Sequence, residues 1–317
     1  GQIWKKGRIN NAETENDAIT RYTILNGLPS RNSTTVIKDS RGFMWIGTEN
    51  GLCKFDGYTF KNYINKKGDS TSISNNFINA LIEDKRGRIW IGTMDGLNVF
   101  DPATEKFSRF YHNKRKQNSL SNNKVWSLLA DHIDRVWVGT DDGFNLFEEN
   151  TRTFKTYRPD ASDRYAMKGK SVNAIIEDGN TLWLGNWGEG LNKFDTRTNR
   201  CYNFKQVSSS AEKSPNDIWS RCKDQHGLIW VGTYWKGLYS FDPSTQAFRS
   251  VNGPSTNNTS VFTLLTIDRN TLLVGGNENF WWVNTSANAW TKIASTENNP
   301  HGHAYRDRDG LIWIGSK

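Results

Sequence analysis

Residues 84–101 read DKRGRIWIGTMDGLNVFD. Asp84 and Gly87 mark a tight turn, 88–92 a strand carrying Trp90, Asp95-Gly96 a second turn, and 97–100 the returning strand. A lone hairpin cannot bury its own apolar face. The chain supplies neighbours for it. The pattern returns at Asp39 (DSRGFMWIGTENGLCKFD), Asp131 (DHIDRVWVGTDDGFNLFE), Asp178 (DGNTLWLGNWGEGLNKFD) and Asp224 (DQHGLIWVGTYWKGLYSFD). A weaker copy begins at Asp268 (DRNTLLVGGNENFWWVN) and a truncated one at Asp307 (DRDGLIWIGSK). Trp45, Trp90, Trp137, Trp183, Trp230 and Trp313 hold one aligned place, which Leu273 fills in the sixth copy. Successive copies lie about 45 residues apart, the period of a four-stranded blade.

Four strands fit each period. The inner one precedes the aspartate, at 33–38, 77–83, 124–130, 171–177, 217–223 and 261–267. The second carries the tryptophan, the third is Gly-Leu-x-x-Phe, and the fourth is the Phe-x-x-Tyr-like stretch typified by 107–110. Small residues (Thr35, Ala80, Ser127, Ala174 and Ser220) stand four places before the aspartates. Small side chains belong where strands converge on an axis, which favours a radial arrangement over a sandwich. The expected fold is all-β: a seven-bladed β-propeller of four-stranded antiparallel blades. In that reading the last blade is shared between the termini, the C-terminus giving inner strands and the stretch around Ile19–Tyr22 the outer one. Residues 1–17 are left as a poorly defined segment, although Gly1-Gln2-Ile3-Trp4 mimics the repeat, and 18–317 form one propeller domain. Ser72-Ile73-Ser74-Asn75-Asn76 and Ser119-Leu120-Ser121-Asn122-Asn123 make recurrent turns into the inner strands.

Composition bounds the function. The formal net charge is +8, but Lys66-Lys67 and Lys114-Arg115-Lys116 lie between copies with acidic residues in the same loops. Dispersed loop charge of this kind argues against a nucleic-acid partner. Cys53, Cys201 and Cys222 sit at unrelated repeat positions, which makes neither a disulfide framework nor a zinc spacing. No apolar run reaches membrane-spanning length and no signal-peptide pattern stands in this stretch, so any membrane contact is expected through a segment outside it.

The sequence holds no nucleophile–base motif, no His-Glu-x-x-His and no P-loop. His301-Gly302-His303 lacks a third metal ligand, and Asp307-Arg308-Asp309-Gly310 is the repeat turn again. No catalytic residue, metal or cofactor is expected. A propeller lyase or glycosidase would need an acid and a base placed once, off the repeat register, and no such pair stands out.

The Asp-x-x-Gly-x-Ile-Trp-Ile-Gly-Thr-x-x-Gly-Leu-x-x-Phe-Asp pattern resembles the propeller repeat of two-component regulators. Asn26-Gly27-Leu28-Pro29-Ser30 and the Ser-Leu-Ser-Asn-Asn linker at 119–123 strengthen the likeness, which covers about 18–317. The resemblance implies the periplasmic sensor region of a hybrid two-component system, as in gut Bacteroides-type bacteria, whose parent protein would be a histidine kinase. It also implies sensing of oligosaccharides to regulate glycan-utilisation genes. The implied partners are an oligosaccharide, the remaining sensor domains of the same chain, and a second copy in a homodimer. The repeat residues build the fold, so the resemblance assigns no ligand residue.

The departures from the repeat do. Two neighbouring hairpins, 185–190 (GNWGEG) and 232–237 (GTYWKG), are one residue longer than the others and add aromatics. Five places before each aspartate stand Thr34, Asn79, Trp126, Asn173, Trp219 and Thr263, on the same rim. The candidate ligand site is therefore Trp126, Trp187, Trp219, Tyr234 and Trp235, with Asn173, Asn186, Glu189, Arg221 and Lys236 as polar partners. Flat aromatic faces stack on sugar rings while placed polar groups take hydroxyls. The competing reading is a scaffold whose exposed aromatics meet protein.

Overall fold

The repeated aspartate organises its own turn. In a computed structural model that describes residues 3–6, 20–205, 216–254, 259–277, 279–293 and 303–315, Asp84 Oδ1 accepts from the backbone N–H of Arg86 and of Arg88, both at 3.0 Å. Its Oδ2 accepts from the indole Nε1 of Trp90 at 2.8 Å. The same indole bond joins Asp39 to Trp45 (2.9 Å), Asp131 to Trp137 (2.9 Å), Asp224 to Trp230 (2.8 Å) and Asp307 to Trp313 (3.0 Å). The clamp satisfies a buried indole donor and fixes which way the ring faces. That way is toward the next repeat. Trp45 meets Phe100 at 5.0 Å between ring centroids, Trp90 meets Phe147 at 4.8 Å, Trp137 meets Phe194 at 5.7 Å, and Trp183 meets Phe241 at 5.5 Å. Each of these four tryptophans thus packs on its successor's Gly-Leu-x-x-Phe phenylalanine, and Trp230 packs with Val283 in the same place, so the hairpin's apolar face is closed only by a neighbour.

Four consecutive strands make each of six antiparallel blades: the first at 33–63, then 78–110, 125–157, 172–204, 218–250 and 263–292. The expectation of seven blades is corrected by this count. Six blades, not seven, are complete along the running chain, because the copy at Asp307 contributes only two strands, Ala304–Arg306 and Ile312–Gly315. The free edge of Ile312–Gly315 is taken by Ile3–Lys6, which in turn pairs with Thr20–Tyr22, and this composite sheet closes the ring. The N-terminal stretch lends two strands rather than one, and Ile3–Lys6 is a third strand rather than a copy of the tryptophan strand.

The cores lie between blades. Each cluster of buried apolar residues draws on two neighbours, as Trp90, Leu97 and Val99 do with Val125, Val138 and Phe147. Trp313 joins the first blade through Val36 and Ile46, and Ile312 and Ile314 join the sixth through Leu273 and Phe280, so the composite sheet is packed on both sides. The small inner residues pair with the glycine two places after each aligned tryptophan: Thr35 with Gly47, Ala80 with Gly92, Ser127 with Gly139, Ala174 with Gly185 and Ser220 with Gly232. A Cβ on Gly139 would stand 2.2 Å from Ser127 Oγ and 2.4 Å from the Val172 carbonyl of the next blade. Glycine there sets how closely two blades approach.

Just before each small residue the inner strand slips register, between Ser33 and Thr35, Ile78 and Ala80, Val125 and Ser127, Val172 and Ala174, and Ile218 and Ser220. The extra residues are Thr34, Asn79, Trp126, Asn173 and Trp219. A bulge leaves one residue unpaired and re-aims its side chain. Here all five line a cavity on the propeller axis.

Candidate ligand site on the propeller axis

Two adjoining cavities share Trp126, Asn173 and Trp219. The inner one, about 310 Å³, lies where the inner strands converge. The outer one, about 430 Å³, opens above the third to fifth blades and adds Asp141, Lys170, Ser171 and Trp187. Together they form a groove that leads into a channel. Its walls are largely apolar, with Phe77, Met94, Phe262 and Leu264 beside the bulge residues.

The aromatic cluster at the mouth holds itself together. Trp187 lies 6.5 Å from Trp219 and 5.4 Å from Tyr234, while Trp219 and Tyr234 each reach Phe262, at 6.1 and 6.4 Å. Trp187 is 45% exposed and Trp219 38%, so their faces are open to a ligand. Trp126 donates its Nε1–H to Asp141 Oδ1 at 3.2 Å, which orients the ring over the shared floor. Ser171 Oγ donates to Asn173 Oδ1 at 2.7 Å, and the Asn173 amide N–H₂ bonds no other group among the described residues.

Deeper in, Arg221 projects from the fifth blade's inner strand into the channel wall. Its Nε and Nη2 both donate to the Ile175 carbonyl, at 3.2 and 3.1 Å. Among the described residues it pairs with no carboxylate. Burial pulls its pKa down to about 10, which leaves it charged at neutral pH. His303 faces the same cavity from the composite sheet. The residue is exposed to solvent overall, and the crowding on its channel side, followed by the charge of Arg221, lowers its pKa. His303 is therefore neutral at physiological pH.

The ten residues expected from sequence divide into two sets. Trp126, Asn173, Trp187, Trp219 and Arg221 line the cavities, and Tyr234 touches that set through Trp187. Asn186, Glu189, Trp235 and Lys236 line neither. Asn186 is fully buried, donates to the Ser171 carbonyl at 2.9 Å and accepts from Asn192, so its amide is spent on the hairpin. Glu189 pairs with Lys205 at 3.1 Å. Trp235 is 51% exposed and meets Tyr234 edge-on at 5.7 Å, with φ at 65° in the added residue's left-handed turn.

Thr263, expected on the rim, is buried, and Phe262 takes its place. The reason is a shift of one residue in the sixth copy. Thr263 pairs with Gly275, so Ile267 rather than Asp268 stands in the aspartate's place, and the Ile267 N–H bonds the Thr271 carbonyl at 2.9 Å. Aligning by the aspartate therefore misses Phe262 by one. Phe77, Met94, Ser220, Leu264 and His303 also line the channel and carry no departure from the repeat that would single them out, apart from the histidine itself.

His301 and Gly302 lie outside the described residues. Among the described residues no three His, Cys, Asp or Glu side chains gather as a metal would require. The three thiols are unpaired, and burial pushes each up to about 12, so none is a ready nucleophile. No helix among the described residues is long and apolar enough to cross a membrane.

The sequence signature of the two-component regulator propeller matches residues 27–50, 72–95, 119–142 and 212–235. This chain carries those repeats. A 63-residue stretch is 43% identical to Histidine kinase P4 of Formosa agariphila, covering 20% of this chain and 5% of that protein. Among solved structures, the extracellular domain of a hybrid two-component system from B. thetaiotaomicron superposes with a TM-score of 0.79 at 26% identity, over 94% of this chain and 40% of the other. The extracellular domain of a one-component system from the same organism gives a TM-score of 0.74 at 20% identity, over 95% and 43%. The second likeness is one of fold alone. The chain spans less than half the length of each of these proteins.

Proposed function

We propose that this propeller is an extracytoplasmic sensor domain of a two-component receptor, periplasmic in location, and that it takes an oligosaccharide in the groove over its third to fifth blades. The observation that carries the reading is the continuous path from the exposed faces of Trp187 and Trp219 into the axial cavity. Apolar walls with a few fixed polar groups suit a ring that is flat on one face and hydroxylated at its edge. The repeats and the solved extracellular domains support the receptor role. Ligand would favour one arrangement of this domain relative to the rest of the receptor, shifting a population that a kinase then reads.

The test is calorimetric titration of the protein with neutral and acidic oligosaccharides, repeated on a Trp187→Ala, Trp219→Ala double variant. Binding by the wild type that weakens at least tenfold in the double variant, with an unchanged melting temperature, supports the groove. Wild-type affinity in that variant removes it. A second reading has one observation in its favour: Trp235, exposed and outside both cavities, would suit docking of another part of the receptor or a second copy. In that case Trp235→Ala would weaken domain assembly and leave ligand affinity alone.

A further inference from the structure

Among the described residues that line the axial cavity, Arg221 is the only charged side chain and none is Asp or Glu. The guanidinium carries five N–H donors. Two of them go to the single Ile175 carbonyl through Nε and Nη2. The remaining three, two on Nη1 and one on Nη2, have no partner among the described residues. Two of those three, one on each Nη, lie along the far edge of the planar group, an edge that can meet a two-oxygen anion with parallel hydrogen bonds, and the third, on Nη1, points to the other side.

A cation in an apolar wall, without a counter-charge, costs free energy unless something compensates it. The surrounding residues do not. Phe77, Phe262 and Leu264 offer no acceptor, the neutral oxygens of Thr34, Asn79, Asn173 and Ser220 bond no part of the guanidinium among the described residues, and His303 is neutral. At the mouth, Asp141 is already engaged by Trp126 at 3.2 Å and lies 3.9 Å from Lys124. Lys170, exposed beside it, adds a second positive charge to the path. The outer cavity thus carries Lys170 beside Asp141 and the inner one carries Arg221, and the inner cavity, at about 310 Å³, sits at the small end of ligand pockets, roughly 300–1,000 Å³.

We infer that the ligand is an acidic oligosaccharide, inserted end-on so that its anionic group, a sugar carboxylate or a sulfate ester, meets the free edge of Arg221 while the following ring stacks between Trp126 and Trp219. The inference rests on the sugar reading above and narrows it to a class. The neutral His303 imidazole and the Asn173 amide are left to hydrogen-bond ring hydroxyls, which a charged imidazolium would do less selectively. Binding is then both stacking at the mouth and one charge-assisted pair inside, where water screens little.

The experiment uses four probes on the whole domain at fixed salt: a glucuronate-containing disaccharide, its methyl ester, a sulfated disaccharide, and the unsulfated parent. Each is titrated against wild type, Arg221→Gln and Arg221→Lys, with thermal melts to show that the variants fold. The expected result is at least tenfold tighter binding of an acidic probe than of its neutral partner. That preference should vanish in Arg221→Gln and persist in part in Arg221→Lys. Which acidic probe is preferred tells carboxylate from sulfate. Equal affinity for charged and neutral probes overturns the inference and leaves the sugar reading standing, as does a preference that survives Arg221→Gln. Silence from all four probes overturns both.

Discussion

The rims of the first two blades and of the fourth and fifth have the same architecture and different surfaces. In the first and second blades the hairpin is Thr-x-x-Gly: the Thr48 and Thr93 hydroxyls donate to the carbonyls of Gly51 and Gly96, each at 2.8 Å, and Asn50 or Asp95 tips the turn. In the fifth blade the Thr233 hydroxyl reaches Gly237, one residue further on, also at 2.8 Å, and Tyr234, Trp235 and Lys236 fill the span. In the fourth blade Asn186 stands in the threonine's place and Trp187 follows. One inserted residue turns a polar hairpin into an aromatic one without disturbing the strands beneath. The residues that keep the repeat register build the ring, and those that break it furnish the groove. Variants on either side of that line should therefore fail in different assays.

The largest expected effect falls on the register side. Gly139→Ala puts a methyl 2.2 Å from Ser127 Oγ and 2.4 Å from the backbone carbonyl of Val172, which belongs to another blade. The Val172 carbonyl is backbone and cannot swing aside, and Ser127 Oγ is tied to it at 2.9 Å, so blades three and four must part. A loss of about 3 kcal/mol or more in chemical denaturation is expected, at the upper end of overpacking costs. Gly188→Ala, in the inserted hairpin, meets only Asp217 Oδ1, at 3.9 Å, although its φ of 75° favours glycine. It should cost about 1 kcal/mol. Equal losses in the two variants would erase the distinction between ring and groove.

How much of this was legible follows the same line. The ring was, because Asp39, Asp84, Asp131 and Asp224 each hold a tryptophan six residues on, and a bond made in every copy leaves a pattern in the sequence. The closing sheet was legible only in half. Thr20–Tyr22 resembles other outer strands, whereas Ile3–Lys6 takes its place by pairing with Ile312–Gly315 from the far end of the chain, and such pairing leaves no local mark. At the site, Trp126, Trp187 and Trp219 announce themselves as aromatics where other copies are polar. Asn186 misleads because one side chain can serve a ligand or a hairpin, and only its bonds to Ser171 and Asn192 decide. Phe262 was hidden by a shift of a single residue.

A smaller contrast separates blades three and four beneath the rim. Asp131 is buried and accepts from Trp137, from Arg135 Nε at 2.6 Å and from two backbone N–H groups. In the fourth blade the turn is shorter, Asp178 pairs with Thr181 across it, and Trp183 Nε1 is buried without a partner. Asp178 instead forms a partly exposed ion pair with Lys223. Asp131→Ala should cost about 2–3 kcal/mol, since it strands a buried indole and backbone donors. Asp178→Ala should cost about 0–1 kcal/mol, the worth of a surface pair. Burial opposes ionisation of Asp131, but the bonds from Trp137 and Arg135 outweigh it and hold the carboxyl below its usual range. Its contribution is present above the unfolded carboxylate pKa and is lost as pH falls through the lower folded value. Acid unfolding should thus begin later in Asp131→Asn relative to that variant's own neutral stability.

The smallest and sharpest effect sits in the channel. His303 has its pKa lowered to about 4 by crowding and by Arg221, against about 6.5 in an unfolded chain. Between those values the unfolded state takes up a proton that the folded state does not, so stability is whole above pH 6.5 and declines as pH falls toward 4. His303→Gln should flatten that part of the stability profile. In nuclear magnetic resonance the His303 ring should titrate with a midpoint near 4, and replacing Arg221 with Gln should raise it, because one of the two causes is removed. An anion seated on Arg221 would act in the same direction by cancelling the charge that repels the proton. A midpoint that rises on adding an acidic disaccharide, and not on adding its neutral partner, would place the anionic group in the channel. A midpoint near 6.5 in the free protein would mean that the channel is wide and wet at His303, and the difference between groove and ring would then lie at the rim alone.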